Sequence, residues 1–101
     1  MRLLSPNAAR LIAAFLDTPS GLYGYELLQE TGMKSGSLYP ILGRFERLGW
    51  IRGQMQDSPD SRPQRRVYTL DPDGAAEASA ALERFLKVKN VTQAELNTLG
   101  I

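Results

Sequence analysis

Residues 35–51, SGSLYPILGRFERLGWI, set Leu38, Ile41, Leu42, Phe45 and Leu48 at the spacing of a helix buried along one stripe. The opposite face holds Ser37, Pro40, Gly43, Arg44 and Arg47. A face that is merely solvated is built from Glu, Lys, Gln and Ala, the strong helix formers. Small residues instead let a helix approach another body closely, and arginine suits a body with phosphates or guanine edges. The rest of the chain must therefore pack this helix on one side and offer it on the other.

The residues before it supply such a frame. Ser5 is a cap and Pro6 the first residue of a helix expected over Pro6 to Asp17, with Ala8, Leu11, Ile12, Phe15 and Leu16 as its stripe. Thr18 to Gly21, TPSG, is turn chemistry. A second helix is expected from Gly24 to Thr31, with Leu27 and Leu28 inward and Gly32 as a left-handed C-terminal cap. Met33 and Lys34 then make a tight link, so the two helices form a helix-turn-helix unit. The start of the third helix is ambiguous. With Ser35 as cap, Pro40 deletes a backbone hydrogen bond in the second turn; with Ser37 as cap, Pro40 falls where no bond is lost, and regular bonding is expected from Ser37 onward.

Gly49 closes that helix. Ile51 to Gln56 reads as a strand, residues 57–63 as a polar loop, and Arg65 to Leu70 as a second strand with Arg66, Tyr68 and Leu70 on one side. A hairpin directly after a helix-turn-helix is a wing. The expected fold class is mainly α with a small β-hairpin, a winged helix-turn-helix with a C-terminal dimerisation helix. That last helix is expected to begin at Asp71-Pro72 and run from Asp73 to about Lys89. Ala75, Ala78, Leu82 and Phe85 line it, and its apolar surface exceeds what a small three-helix core covers, so these four are candidates for packing on a second copy. Packing only on its own domain is the alternative. Thr92 to Glu95, TQAE, is a capping box for a short helical piece carrying Leu96 and Leu99. Residues 1–70 are thus assigned to DNA binding and 71–101 to dimerisation and a short tail, within one compact unit.

Composition narrows the function. At 101 residues the chain fits one small domain. It has neither cysteine nor histidine, which removes disulfides, thiolate metal sites, the usual general base and the usual nucleophilic thiol. No catalytic residue, metal or cofactor is expected. No apolar run approaches the roughly 20 residues of a membrane span, and the start, MRLLSPNAAR, lacks a signal peptide's apolar region, so a soluble, cytoplasmic protein is expected. The net charge of +1 is unevenly spread: residues 34–66 hold seven basic side chains against three acidic, and the remainder five against eight. That is the footprint of a polyanion-binding surface, or else a solvated face with scattered charges.

GYEL at 24–27, GSLYPILGRFERLGWI at 36–51 and RRVYTLDPDG at 65–74 resemble, in order and spacing, the PadR family of bacterial winged-helix transcriptional regulators. The resemblance covers roughly Leu11 to Leu82 and implies a homodimeric protein that binds double-stranded DNA, usually a repressor, of the family's short-tailed branch. Tyr23 stands where the family often has histidine, Asp71-Pro72 replaces a threonine-led cap, and Trp50 replaces a plain aliphatic residue. Some relatives hold flat aromatic effectors with a tryptophan of the last helix; this chain has none there, so a small-molecule effector stays open and unsupported.

On this reading the third helix enters the major groove by its N-terminal part, where Lys34, Ser35, Ser37 and Tyr39 reach phosphates and base edges. Arg44 and Arg47 follow along the groove, and Arg62, Gln64 and Arg65 belong to the wing. Plainer roles compete: Arg44 and Arg47 pairing with Glu46 or Glu30, Tyr39 covering the core edge, Arg66 facing the domain. Two other function classes fit the same residues, a protein-interaction module and an architectural or recombination accessory DNA-binding protein of a mobile element.

Overall fold

The computed structural model describes residues 3–57 and 64–98. Its elements run α1 (Pro6–Asp17), β1 (Leu22–Tyr23), α2 (Gly24–Thr31), α3 (Ser35–Arg47), β2 (Ile51–Gln56), β3 (Arg65–Leu70), α4 (Ala75–Lys89) and α5 (Gln93–Thr98). The Ser5 side chain accepts from the Ala8 N–H at 3.1 Å, and Pro6 follows where no donor is needed. α1 is the central post, with Ala8, Ala9, Leu11, Ile12, Ala13 and Phe15 all buried. α2, α4 and α5 each pack on it. The alanines keep α1 slim enough for several neighbours to approach.

Gly32 takes the left-handed conformation, φ 68°, that ends α2 and turns the chain into α3. α3 begins at Ser35, two residues before the expected start. Lys34 is its cap, with extended backbone, and the Lys34 carbonyl accepts from the N–H groups of Ser37 and Leu38, each at 3.0 Å. Pro40 therefore does lie inside the helix and removes the N–H that would reach the Gly36 carbonyl. Both residues are exposed, so solvent serves that carbonyl and the penalty is small. Leu38, Leu42 and Phe45 are buried, whereas Leu48 is 46% exposed, because the helix ends before it. Gly49, φ 76°, reverses the chain: its N–H donates to Glu46 at 3.1 Å and that of Trp50 to Phe45 at 3.0 Å.

The reversal drops Trp50 into the core, its ring centroid 5.3 Å from that of Phe45. β2 and β3 pair antiparallel from Ile51–Leu70 to Gln56–Arg65. A third strand, β1, extends the sheet in the order β1-β3-β2, with Leu22 opposite Tyr68 and Tyr23 opposite Val67. Two residues are too few to show an alternating pattern, which is why the sequence reads only a hairpin.

α4 starts at Ala75 rather than at Asp71-Pro72. The Asp71 carboxylate accepts from the Asp73 N–H at 2.9 Å and its carbonyl from Gly74 at 2.9 Å, so a tight turn occupies these residues before the helical ladder opens with Ala78 to Gly74. Gly74 is buried against the backbone of Gly49 and Trp50, where a methyl group would overlap main-chain atoms. Gly74→Ala should therefore cost about 1–3 kcal/mol of stability, seen as a lower urea midpoint with an unchanged slope. An unchanged midpoint would contradict this packing. Thr92 and Glu95 form the expected reciprocal cap, both bonds at 3.1 Å, and Leu96 is buried; Leu99 lies outside the described residues. Among the described residues no helix is long and apolar enough to cross a membrane.

Candidate nucleic-acid interface

α3 reaches the surface as a ridge. Ser37, Pro40, Arg44 and Arg47 recur at intervals that keep them in one outward row, and all four are exposed. Lys34 and Ser35 at the start of the helix are exposed as well. The Arg47 side chain lies back along the helix over Gly43, where a Cβ would stand 3.5 Å from its Nη1. Gly43 thus gives Arg47 its path. Among the described residues neither Arg44 nor Arg47 has an ion-pair partner, so the competing role of pairing with Glu46 or Glu30 is not seen.

Glu46 is engaged elsewhere, accepting from Arg66 Nη2 at 2.9 Å. This bond ties β3 to the flank of α3. It also holds the Arg66 guanidinium pKa above its ordinary value, first through the hydrogen bond and then through the carboxylate charge. Arg66 faces the domain, with its guanidinium 5.7 Å from the Tyr68 ring. Burial pushes the Tyr68 phenol pKa up. The pair is exposed, so Glu46→Gln should lower stability by no more than about 1 kcal/mol; thermal denaturation checks this, and a larger loss would mean that the pair also sets the seat of β3.

On the wing, Gln64 donates to the Asp57 carboxylate at 2.6 Å, and Arg65 stacks its guanidinium 4.4 Å from the centre of the Tyr23 ring. Arg62 lies outside the described residues. Tyr39, 46% exposed, sits on the same flank of α3 as Glu46, with its hydroxyl over Gly24 at the start of α2; a Cβ on Gly24 would meet it at 2.5 Å. Tyr39 and Arg65 therefore border one shallow depression, together with Tyr23 and Tyr25. Sequence reasoning gives neither of those tyrosines a site role. The available signal is the pair of aromatics flanking Gly24, uninformative until the fold brings β3 alongside.

The four candidates on the last helix are placed differently. Ala78, Leu82 and Phe85 are buried in the chain's own core, and Ala75 is half-buried. The spacing that marks an apolar stripe marks the stripe facing α1, the alternative of packing on its own domain, and within the subunit these three are covered. What α4 leaves outward is Ala76, Glu77, Ala80, Glu83, Arg84, Lys87, Val88 and Lys89, with Val88 62% exposed.

A sequence profile described as the transcriptional regulator PadR-like family matches residues 14–80, which span α2, α3, both wing strands and the adjoining parts of α1 and α4. The chain belongs to the PadR-like family. A comparison with curated protein sequences gives no significant match. Among solved structures, a Streptococcus transcriptional regulator shares 30% identity at a TM-score of 0.60, over 81% of this chain and 87% of that one. A PadR-like transcriptional regulator from Bacillus cereus shares 26% at 0.60, over 79% and 84%. A PadR family transcription regulator from Clostridium difficile superposes at 0.69 over 91% and 99%; at 20% identity it shows the winged-helix fold alone. PadR-like proteins are DNA-binding transcriptional regulators rather than enzymes, and this chain carries their fold with its basic row facing outward.

Proposed function

We propose that this PadR-like protein is a sequence-specific repressor that binds an inverted-repeat operator as a homodimer, with residues 1–70 holding the DNA and residues 71–101 the second subunit. The observation that carries the DNA-binding assignment is the pairing pattern of the cations. Glu46 neutralises Arg66, while Arg44 and Arg47 stand along the exposed ridge of α3 with no carboxylate paired to them among the described residues. Unpaired guanidiniums in line with small residues suit the phosphates and guanine edges of a major groove. Lys34, Ser35, Ser37 and Tyr39 reach the groove from the helix start, and Gln64, Arg65 and Arg62 reach the flanking backbone. Repression follows from occupancy, since a dimer lying over a promoter excludes polymerase.

For the dimer, the support is the outward side of α4. Leu86, Val88 and Val91 border an open groove of about 820 Å³ between α4 and α5, together with Ala80. Val88→Glu with Ala80→Glu should give a folded monomer in sedimentation, because both side chains are exposed in the subunit. A monomer for the unmodified chain at micromolar concentration would contradict the dimer. The function itself is tested by selecting bound sequences from a random DNA pool. A recovered inverted repeat supports the operator reading. Tight binding without any preferred sequence would favour an architectural role, and binding to no DNA would leave the ridge to a protein partner.

A further inference from the structure

All four tyrosines of the chain border one depression of about 310 Å³, between the start of α2, the flank of α3 and β3. They are not equivalent. Tyr68 is buried at its base. Tyr23 is a brace: its hydroxyl donates to Gln56 Oε1 at 2.9 Å and its ring carries the Arg65 guanidinium, so one residue of β1 fixes both wing strands and aims their arginine. Tyr25 is 69% exposed and Tyr39 46%. Neither of their hydroxyls has a hydrogen-bond partner among the described residues. Of the two arginines at the rim, Arg66 is neutralised by Glu46, which leaves Arg65 as the uncompensated charge.

Two free phenolic donors and one unpaired guanidinium around a shallow hollow fit an acceptor-rich group with a single negative charge. We infer that the tyrosine-lined depression seats one backbone phosphodiester of duplex DNA, bound by the hydroxyls of Tyr25 and Tyr39 and by Arg65, with Tyr23 as the positioning residue for Arg65. The inference rests on the DNA-binding reading above and adds to it one contact residue, Tyr25, a brace, Tyr23, and a single phosphate that Tyr25, Tyr39 and Arg65 share. A phosphodiester carries one negative charge, matching the one cation at the rim that is unpaired among the described residues; a terminal phosphate carries nearly two. The hollow reaches α3 through Tyr39, on the helix whose exposed row holds Ser37, Arg44 and Arg47, so a duplex lying on that helix is close to it.

Neutral and charged contacts have different signatures, which makes the seat testable. Binding of the full chain to a duplex carrying its selected site is measured over a range of salt concentrations. Tyr25→Phe and Tyr39→Phe should each weaken binding about three- to tenfold with an unchanged salt slope, because a hydroxyl displaces no counterion. Tyr23→Leu should make the slope shallower by about one, as Arg65→Ala does, because the guanidinium loses its support. Replacing phosphates one at a time by uncharged methylphosphonate should identify one phosphate per half-site at which the Tyr25→Phe, Tyr39→Phe double variant loses nothing further. Wild-type affinity in both phenylalanine variants, with Arg47→Ala still weakening binding, would overturn the seat and leave the DNA face standing. No duplex binding by the unmodified protein would overturn both. Adenosine monophosphate that displaces DNA at constant ionic strength, and only when Tyr25 is present, would overturn the duplex assignment in favour of a free nucleotide.

Discussion

A variant carrying Arg44→Ala, Arg47→Ala and Arg65→Ala should bind duplex DNA at least about a hundredfold more weakly than the unmodified protein at physiological salt, with its helix content unchanged. Charge-assisted hydrogen bonds contribute about 1.5–3 kcal/mol each, and even about 1 kcal/mol apiece for these solvated side chains gives two decades for three. Each arginine removed also removes a released counterion, so the log-log salt slope should become shallower by about two to three. The fold should survive, since all three side chains are exposed and, among the described residues, none makes an ion pair and only Arg65 stacks on a ring, that of Tyr23. Fluorescence anisotropy between low and high salt reads both quantities, and circular dichroism the fold. Equal affinity and slope in variant and parent would move the DNA to another face.

Spacing in the operator should matter as strongly. A two-fold dimer places its two α3 ridges in successive major grooves on one side of the duplex, so half-site centres should lie about ten base pairs, or a multiple of that, apart. Five inserted base pairs turn one half-site to the far side. The second contact then ceases to be intramolecular, and apparent affinity should fall by about 10²–10⁴-fold, toward that of a single half-site. Inserting a full turn should recover part of the loss. A selected site without symmetry, or indifference to the five-pair insertion, would contradict the symmetric dimer.

Much of this frame was legible because its signals are local. The caps of α1 and α5, the glycine turns at Gly32 and Gly49 and the stripe Leu38, Leu42 and Phe45 each depend on residues within a few positions of one another. The early start of α3 and the exposure of Leu48 are local departures; the others are cases in which a distant contact decides. Burial of Gly74 on the Gly49–Trp50 turn delays α4, and pairing with β3 turns Leu22 and Tyr23 into a strand. An apolar stripe on α4 reads alike whether α1 or a second subunit covers it, and only the packing assigns Ala78, Leu82 and Phe85 to the former. The site divides the same way. The α3 row is a helical period and could be read directly, whereas the pairing of Glu46 with Arg66 joins residues 20 apart, and the stacking of Arg65 on Tyr23 joins β3 to a strand the sequence hides.

The outer face of α3 is the surface on which the whole account rests, and the absence of cysteine from the sequence allows it to be probed by single-site tethering. Ser37→Cys and Ala80→Cys, each carrying a DNA-cleaving iron chelate, place the reagent on the α3 ridge and on the outer side of α4. The account predicts that the label at position 37 cuts the selected duplex within the major groove of each half-site, at two positions related by the operator dyad, while the label at position 80 leaves it intact. Cleavage from position 80 with none from position 37, in proteins that still bind, would contradict it.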